Sequence, residues 1–398
     1  MAASEVKFPS FYDSKLSTKV VIVLFVLAIL FSQFDLVVCS PFCGTLPLPR
    51  TYIVYRLEPG EVIHVDGKLD DDAWTNVAPT EPFVDDLPSR ELGKLPLGDK
   101  HQADIQGSDF PAPRLNTWAK LRYDDKYLYI AGYLQETDVF ANQTKHDSVV
   151  FQDNDFEVFT DPDWSTHWYK EFEINAINTT WDLILNKPYI NGGSPNNSFE
   201  MPTMKSAIFV DGPINNPIIK DSYWTVEIAM PLKDLVVRDT MARAPPKHGD
   251  QWRINFSRVE WHVRNVNGHY EKVPGLPEDN WVWSPQHVIN MHLPERWGII
   301  QFSTDKVNST KFARDPKWPM YQSLVELYNA EKIFNAIAGY YTSNLTQLDL
   351  PEYVMEGLCA GIPEVTVIKT YSFTATVKPL DGSLPTGHVR DDRYIWFT

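Results

Sequence analysis

An antiparallel β-sandwich carrying a small C-terminal α+β unit is the fold class that this 398-residue sequence predicts. Three observations point to it. Short segments with apolar–polar alternation recur between turn signals, the pattern of half-buried strands. The aromatics number 13 Trp, 18 Tyr and 21 Phe, and Pro outnumbers Gly by 30 to 19, which favours pleated surfaces joined by stiff loops. Helical spacing appears in one long stretch alone once the N-terminal apolar run is set aside.

Residues 1–40 form the first unit. Lys15 and Lys19 precede the uninterrupted apolar run Val20 to Phe31, which is shorter than the ~20 apolar residues that span a bilayer and has the size of a signal-peptide core. Cleavage near Cys39 or Ser40 leaves a secreted chain. An uncleaved anchor using Val20 to Val38 instead leaves a single-pass protein facing outside, the one route by which a membrane becomes a partner. Sequons at Asn142, Asn178, Asn196, Asn255, Asn308 and Asn344 are expected glycosylation sites in that compartment. With Cys39 removed, Cys43 and Cys359 remain, either bridged or as two free thiols. A formal charge of −16, from 52 acidic and 36 basic residues, repels phosphate backbones and argues against nucleic acid as a partner.

Residues 41–303 read as the sandwich. Thr117 to Tyr123 and Tyr127 to Tyr133 alternate on either side of an Asp124-Asp125 turn, and the same period marks Asp155 to Phe159, Lys170 to Ala176, Trp224 to Met230 and Trp252 to Ser257. Insertions at Asp86 to Arg114 and Pro188 to Pro217 interrupt the rhythm. Residues 304–398 form the extension. Met320 to Ala338 has helical spacing, Val365 to Val377 alternates, and Arg393 to Phe397 is a candidate partner strand.

Four phrases in order resemble the family 9 carbohydrate-binding modules and their DOMON-like relatives. They are Val65 to Trp74, Ala119 to Ile130, Asp153 to Pro162 and Trp297 to Phe302. Asp315 to Pro319, continuing through Leu324, Tyr328, Tyr340 and Leu348, also resembles a C-terminal extension found on members of this kind. The resemblance implies an antiparallel β-sandwich and a secreted, non-catalytic protein that binds a polysaccharide or glycan. It also implies two aromatics clamping one sugar, because a pyranose offers an apolar C–H face and a rim of hydroxyls. By register these plates fall on Phe151 and Trp283, and the hydroxyl-reading acid falls on Glu157. An arginine expected on the next strand is Glu173 here, so the pair suits a ligand richer in donors, or a cation.

Trp164 and Trp168, in the turn after Pro162, are further platform candidates. Trp74, Trp224, Trp252 and Trp297 read as core, and Glu157 and Glu173 could equally belong to a solvated ladder. Structural calcium is a possible cofactor, with hard oxygen ligands at Asp66 and Asp70, beside Asp71 and Asp72, and at Asp153 and Asp155, beside Asp161 and Asp163. No Cys/His spacing suggests zinc. Two alternatives stay open: an extracellular glycoside hydrolase with Glu157 and Glu173 as its carboxylates, or a cell-surface adhesion protein. A haem module would need ligands such as Met201, Met204, His262 or His287.

Overall fold

The computed structural model describes residues 41–86, 110–286, 291–369, 371–380 and 382–398. The expected leader, His287 and most of the first insertion lie outside them. The first domain contains β1 (Thr51–Arg56), β2 (Val84–Asp85), β3 (Thr117–Tyr123), β4 (Tyr127–Gln135), β5 (Asp155–Asp161), β6 (Tyr169–Asn175) and β7 (Thr180–Leu185). It continues with β8 (Pro195–Asn196), β9 (Lys205–Val210), β10 (Tyr223–Pro231), β11 (Gln251–Glu260), β12 (Val263–Val266), β13 (His269–Lys272), β14 (Asp279–Val282) and β15 (Gly298–Ser303).

Their order is β8-β7-β6-β5-β11-β15-β1-β3-β4-β10-β9, with β14 and β2 added beside β11 and β12-β13 as a separate hairpin. The strand β1 is the seam between two halves. It runs parallel to both β15 and β3, so the sandwich departs from a purely antiparallel pattern there. The Asp124 turn forms as expected, its carboxylate accepting the N–H groups of Lys126 and Tyr127 at 2.7 Å each.

Alternation then decides the core. Phe156, Val158, Phe172, Ile174 and Phe256 from one half meet Leu121, Ile130, Val226 and Ile228 from the other in a single apolar cluster. Fully burying such side chains contributes roughly 1.5–3 kcal/mol each. At Gly132 a Cβ would lie 3.1 Å from the Phe156 ring of the other half and 2.8 Å from Val226 Cγ1 on the neighbouring strand. Trp74, Trp224, Trp252 and Trp297 are all buried, in agreement with their reading as core.

The C-terminal unit packs a long helix, Trp318–Ala338, on a sheet ordered β16 (Glu364–Ile368), β17 (Ser372–Val377), β18 (Gly387–Arg390) and β19 (Ile395–Phe397). Pro319 sits in the helix's first turn and Gly339 closes it at φ 80°, a left-handed conformation that favours glycine. The segment from Arg393 to Phe397 does not pair with the Val365–Val377 strands. It pairs with β18, which lies between; at four residues this strand is too short to show a period.

Cys43 and Leu46 are buried in the second core, not the first, and Cys43 and Cys359 form a disulfide with Cα atoms 5.2 Å apart.

A carboxylate floor with an aromatic rim

Because Phe156 and Val158 face the core, alternation turns Asp155, Glu157, Phe159 and Asp161 to the opposite face of β5. Strand register then aligns the neighbours. Glu157 stands opposite Glu173 of β6 and Ser257 of β11, and Glu173 stands opposite Trp181 of β7. Trp181, Glu173, Glu157 and Ser257 thus form one row across four strands. Glu171 lies two residues along, opposite Phe159.

This outer face is largely covered. Trp297 packs on Phe159 and Tyr169 with ring centroids 5.6 and 5.3 Å away, and His292 packs on the same two rings. Asp155, Glu157, Glu171 and Glu173 are 0–6% exposed. Around them stand three aromatics that keep solvent contact: Phe151 and Trp181 are half-buried, and Tyr189 is 43% exposed. The Phe151 N–H donates to Glu173 Oε2 at 3.0 Å, and its carbonyl accepts from Trp261 Nε1 at 2.9 Å.

Burial raises the protonation point of each floor carboxyl, since the charged form loses its water. Glu157 is pushed from 4.5 to about 7. Asp155, Glu171 and Glu173 are pushed well above their ordinary range, by burial first and then by one another's charge. Asp155 Oδ2, Glu157 Oε2, Glu171 Oε2 and Trp181 Nε1 are buried atoms without a hydrogen-bond partner among the described residues, while the Ser257 hydroxyl bonds to Glu157. Several other buried acids of this fold are paired. Glu136 and Glu260 share Arg258 at 2.9 and 2.8 Å, Asp239 pairs with Lys170 at 3.0 Å, and Glu227 accepts from Trp74 Nε1 at 2.7 Å and two backbone N–H groups. A buried polar group left unmatched costs roughly 1–3 kcal/mol.

The structure therefore brings Phe151, Glu157, Glu173 and Asp155 together and separates the other candidates from them. Trp283 is not a ligand plate. It is wholly buried against Phe256, and its ring would touch any Cβ at position 298, at 2.3 Å. Trp164 and Trp168 are half-buried, as Phe151 and Trp181 are, but they are engaged away from this cluster. Their turn docks on the C-terminal unit, with Trp164 edge-on to Trp318 and Tyr321 at 6.2 and 5.5 Å, and Thr166 Oγ1 donating to the Arg393 carbonyl at 2.9 Å. Trp168 is capped by Arg238 at 4.6 Å.

Among the calcium candidates, Asp66 and Asp70 lie exposed in a turn far along the chain from the cluster. Asp153 already accepts from the Asn142 and Gln143 N–H groups and from Asn175 Nδ2, ordering the loop beneath the rim. Asn142, Asn178, Asn196, Asn308 and Asn344 are exposed. Asn255 is a correction: it is 1% exposed and both ends of its amide bond to the Ser284 backbone, at 2.9 Å each, which leaves no room for a glycan.

The chain order hides a second cluster, in which ligand atoms of His146, Asp182 and Glu200 lie within 4.8 Å of one another. His146 Nδ1 contacts the Thr180 carbonyl at 3.0 Å, leaving Nε2 3.3 Å from Glu200. Trp181, Glu171, Ser257 and Tyr189 were missed from sequence. The signal for Trp181 existed, in its alternation with Asp182 and Leu183, whereas Tyr189 sits in an irregular segment with no period to follow.

No family model matches the chain, and no curated protein matches it. Similarity is found to solved structures of a family 9 carbohydrate-binding module from Caldicellulosiruptor kristjanssonii, in complex with cellotriose and with glucose. Each is 14% identical, with a TM-score of 0.37, covering 67% and 66% of this chain and 100% of the module. A Bacteroides uniformis protein described as carbohydrate-binding is 12% identical, with a TM-score of 0.43 over 64% of this chain and 100% of its own. At these overlaps none of them fixes the ligand of this chain.

Proposed function

We propose that the chain is a secreted, non-catalytic protein that binds a saccharide on the acidic face of β5 to β7. The observation that carries this reading is the meeting of partly exposed Phe151, Trp181 and Tyr189 with buried carboxylate oxygens that lack donors. Aromatic faces cover the C–H surface of a sugar ring, while carboxylates accept its hydroxyls with directional bonds. The Cys43–Cys359 bridge and five exposed sequons support a route through the secretory pathway.

A glycan array with the secreted chain tests the reading. Retention of a defined set of saccharides is expected, weakened by Trp181→Ala and Tyr189→Ala without loss of thermal stability. Silence across the array, or binding indifferent to both substitutions, overturns it.

A further inference from the structure

We propose that Asp155, Glu157 and Glu173, together with the Ser257 hydroxyl, bind a calcium-class divalent cation between β5, β6 and β11. The geometry is the first argument. One oxygen from each carboxylate lies within 4.8 Å of the others, and ligands on opposite sides of an ion with bonds of about 2.4 Å are separated by about that distance. The donor set contains only carboxylate and hydroxyl oxygens, with no imidazole or thiolate, the choice of a hard cation.

The unmatched oxygens are the second argument: Asp155 Oδ2 and Glu157 Oε2 are buried and have no hydrogen-bond partner among the described residues. Ser257 belongs to the neighbouring strand, is wholly buried and faces Glu157 in register, where its hydroxyl bonds to Glu157. A hydroxyl that donates its proton to Glu157 keeps its lone pairs for a cation, whose shell it completes from the third side.

Charge is the third argument. Asp155, Glu157, Glu171 and Glu173 act on one another, Asp153 adds a further negative charge, and Tyr189 borders Glu171 and Glu173. No lysine or arginine is among the principal charges acting on the four. A divalent ion neutralises two of these buried acids at once. The sequence hint at Asp155 thus finds its partners on β6 and β11 rather than at Asp66, Asp70 or Asp153.

This inference uses the same carboxylate face as the saccharide reading, and experiment separates the two. The test is terbium luminescence on the full secreted chain stripped with chelator, since Trp181 borders Glu173 and can sensitise a bound lanthanide. Tryptophan-sensitised emission is expected, displaced by Ca²⁺, and weakened on the order of tenfold or more by Asp155→Asn and by Glu157→Gln. His146→Ala, at the other cluster, is expected to leave the signal unchanged. As a folding control, Glu157→Gln in chelator should melt at or above the wild type, and only the wild type should gain melting temperature from Ca²⁺. Absent emission, emission that both cluster substitutions leave intact, or emission abolished by His146→Ala would each overturn the proposal. Glycan retention that survives chelator would leave the saccharide reading standing; ion binding without glycan retention would do the reverse.

Discussion

In chelating buffer, the stability of this protein is expected to fall as pH rises from 5 to 8. The cause is the carboxylate floor. A carboxyl whose folded pKa lies above its unfolded value binds more protons folded than unfolded, so the stability present below the unfolded value is lost as pH climbs through the folded one. For Glu157 the window runs from 4.5 to about 7, and at ~1.4 kcal/mol per decade it corresponds to about 3 kcal/mol. Asp155, Glu171 and Glu173 are shifted in the same direction and add to the slope. Glu157→Gln keeps the size and removes the titration, so its curve should be flatter by about 3 kcal/mol over that range. Urea denaturation at half-unit pH intervals, with both proteins in chelator, measures the difference. A wild-type curve that is flat or rises from pH 5 to 8, or a variant that follows the wild type, would refute the reasoning.

Three further outcomes follow from the packing. Reducing the Cys43–Cys359 bridge, which closes a span of 316 residues, should destabilise the chain by roughly 2–5 kcal/mol, seen as a lower melting temperature with reductant in differential scanning fluorimetry. Arg253→Ala removes a buried guanidinium lying 4.4, 5.1 and 4.9 Å from the Trp164, Trp318 and Tyr321 rings. Chemical denaturation should show a loss of about 3–5 kcal/mol, with the C-terminal unit loosening first by hydrogen exchange. Gly132→Ala forces a methyl group against Phe156 and Val226 and should cost about 1–3 kcal/mol in the same assay, with the fold retained by circular dichroism.

Much of the strand pattern was legible because alternation is a local property. Asp155 to Phe159 writes its own two faces, and the Asp124 turn closes on its own N–H groups. The function of individual tryptophans was not legible, since the same ring serves as core or as ligand plate according to what lies above it. Trp283 and Trp164 follow strands and turns much as a sugar plate would, yet one is sealed beneath Gly298 and the other is claimed by a helix more than 150 residues away. Asn255 fits a sequon and fails as a glycosylation site for the same reason: burial is decided by distant chain.

The sequence by itself determined which residues alternate, where the helix falls, and that acids occupy positions 155, 157, 171 and 173. Only the tertiary structure decided that β11 brings Ser257 beside Glu157 and that β7 brings Trp181 beside Glu173. Register between strands is set by packing across the whole sheet, and buried charge takes its meaning from neighbours that chain order does not name.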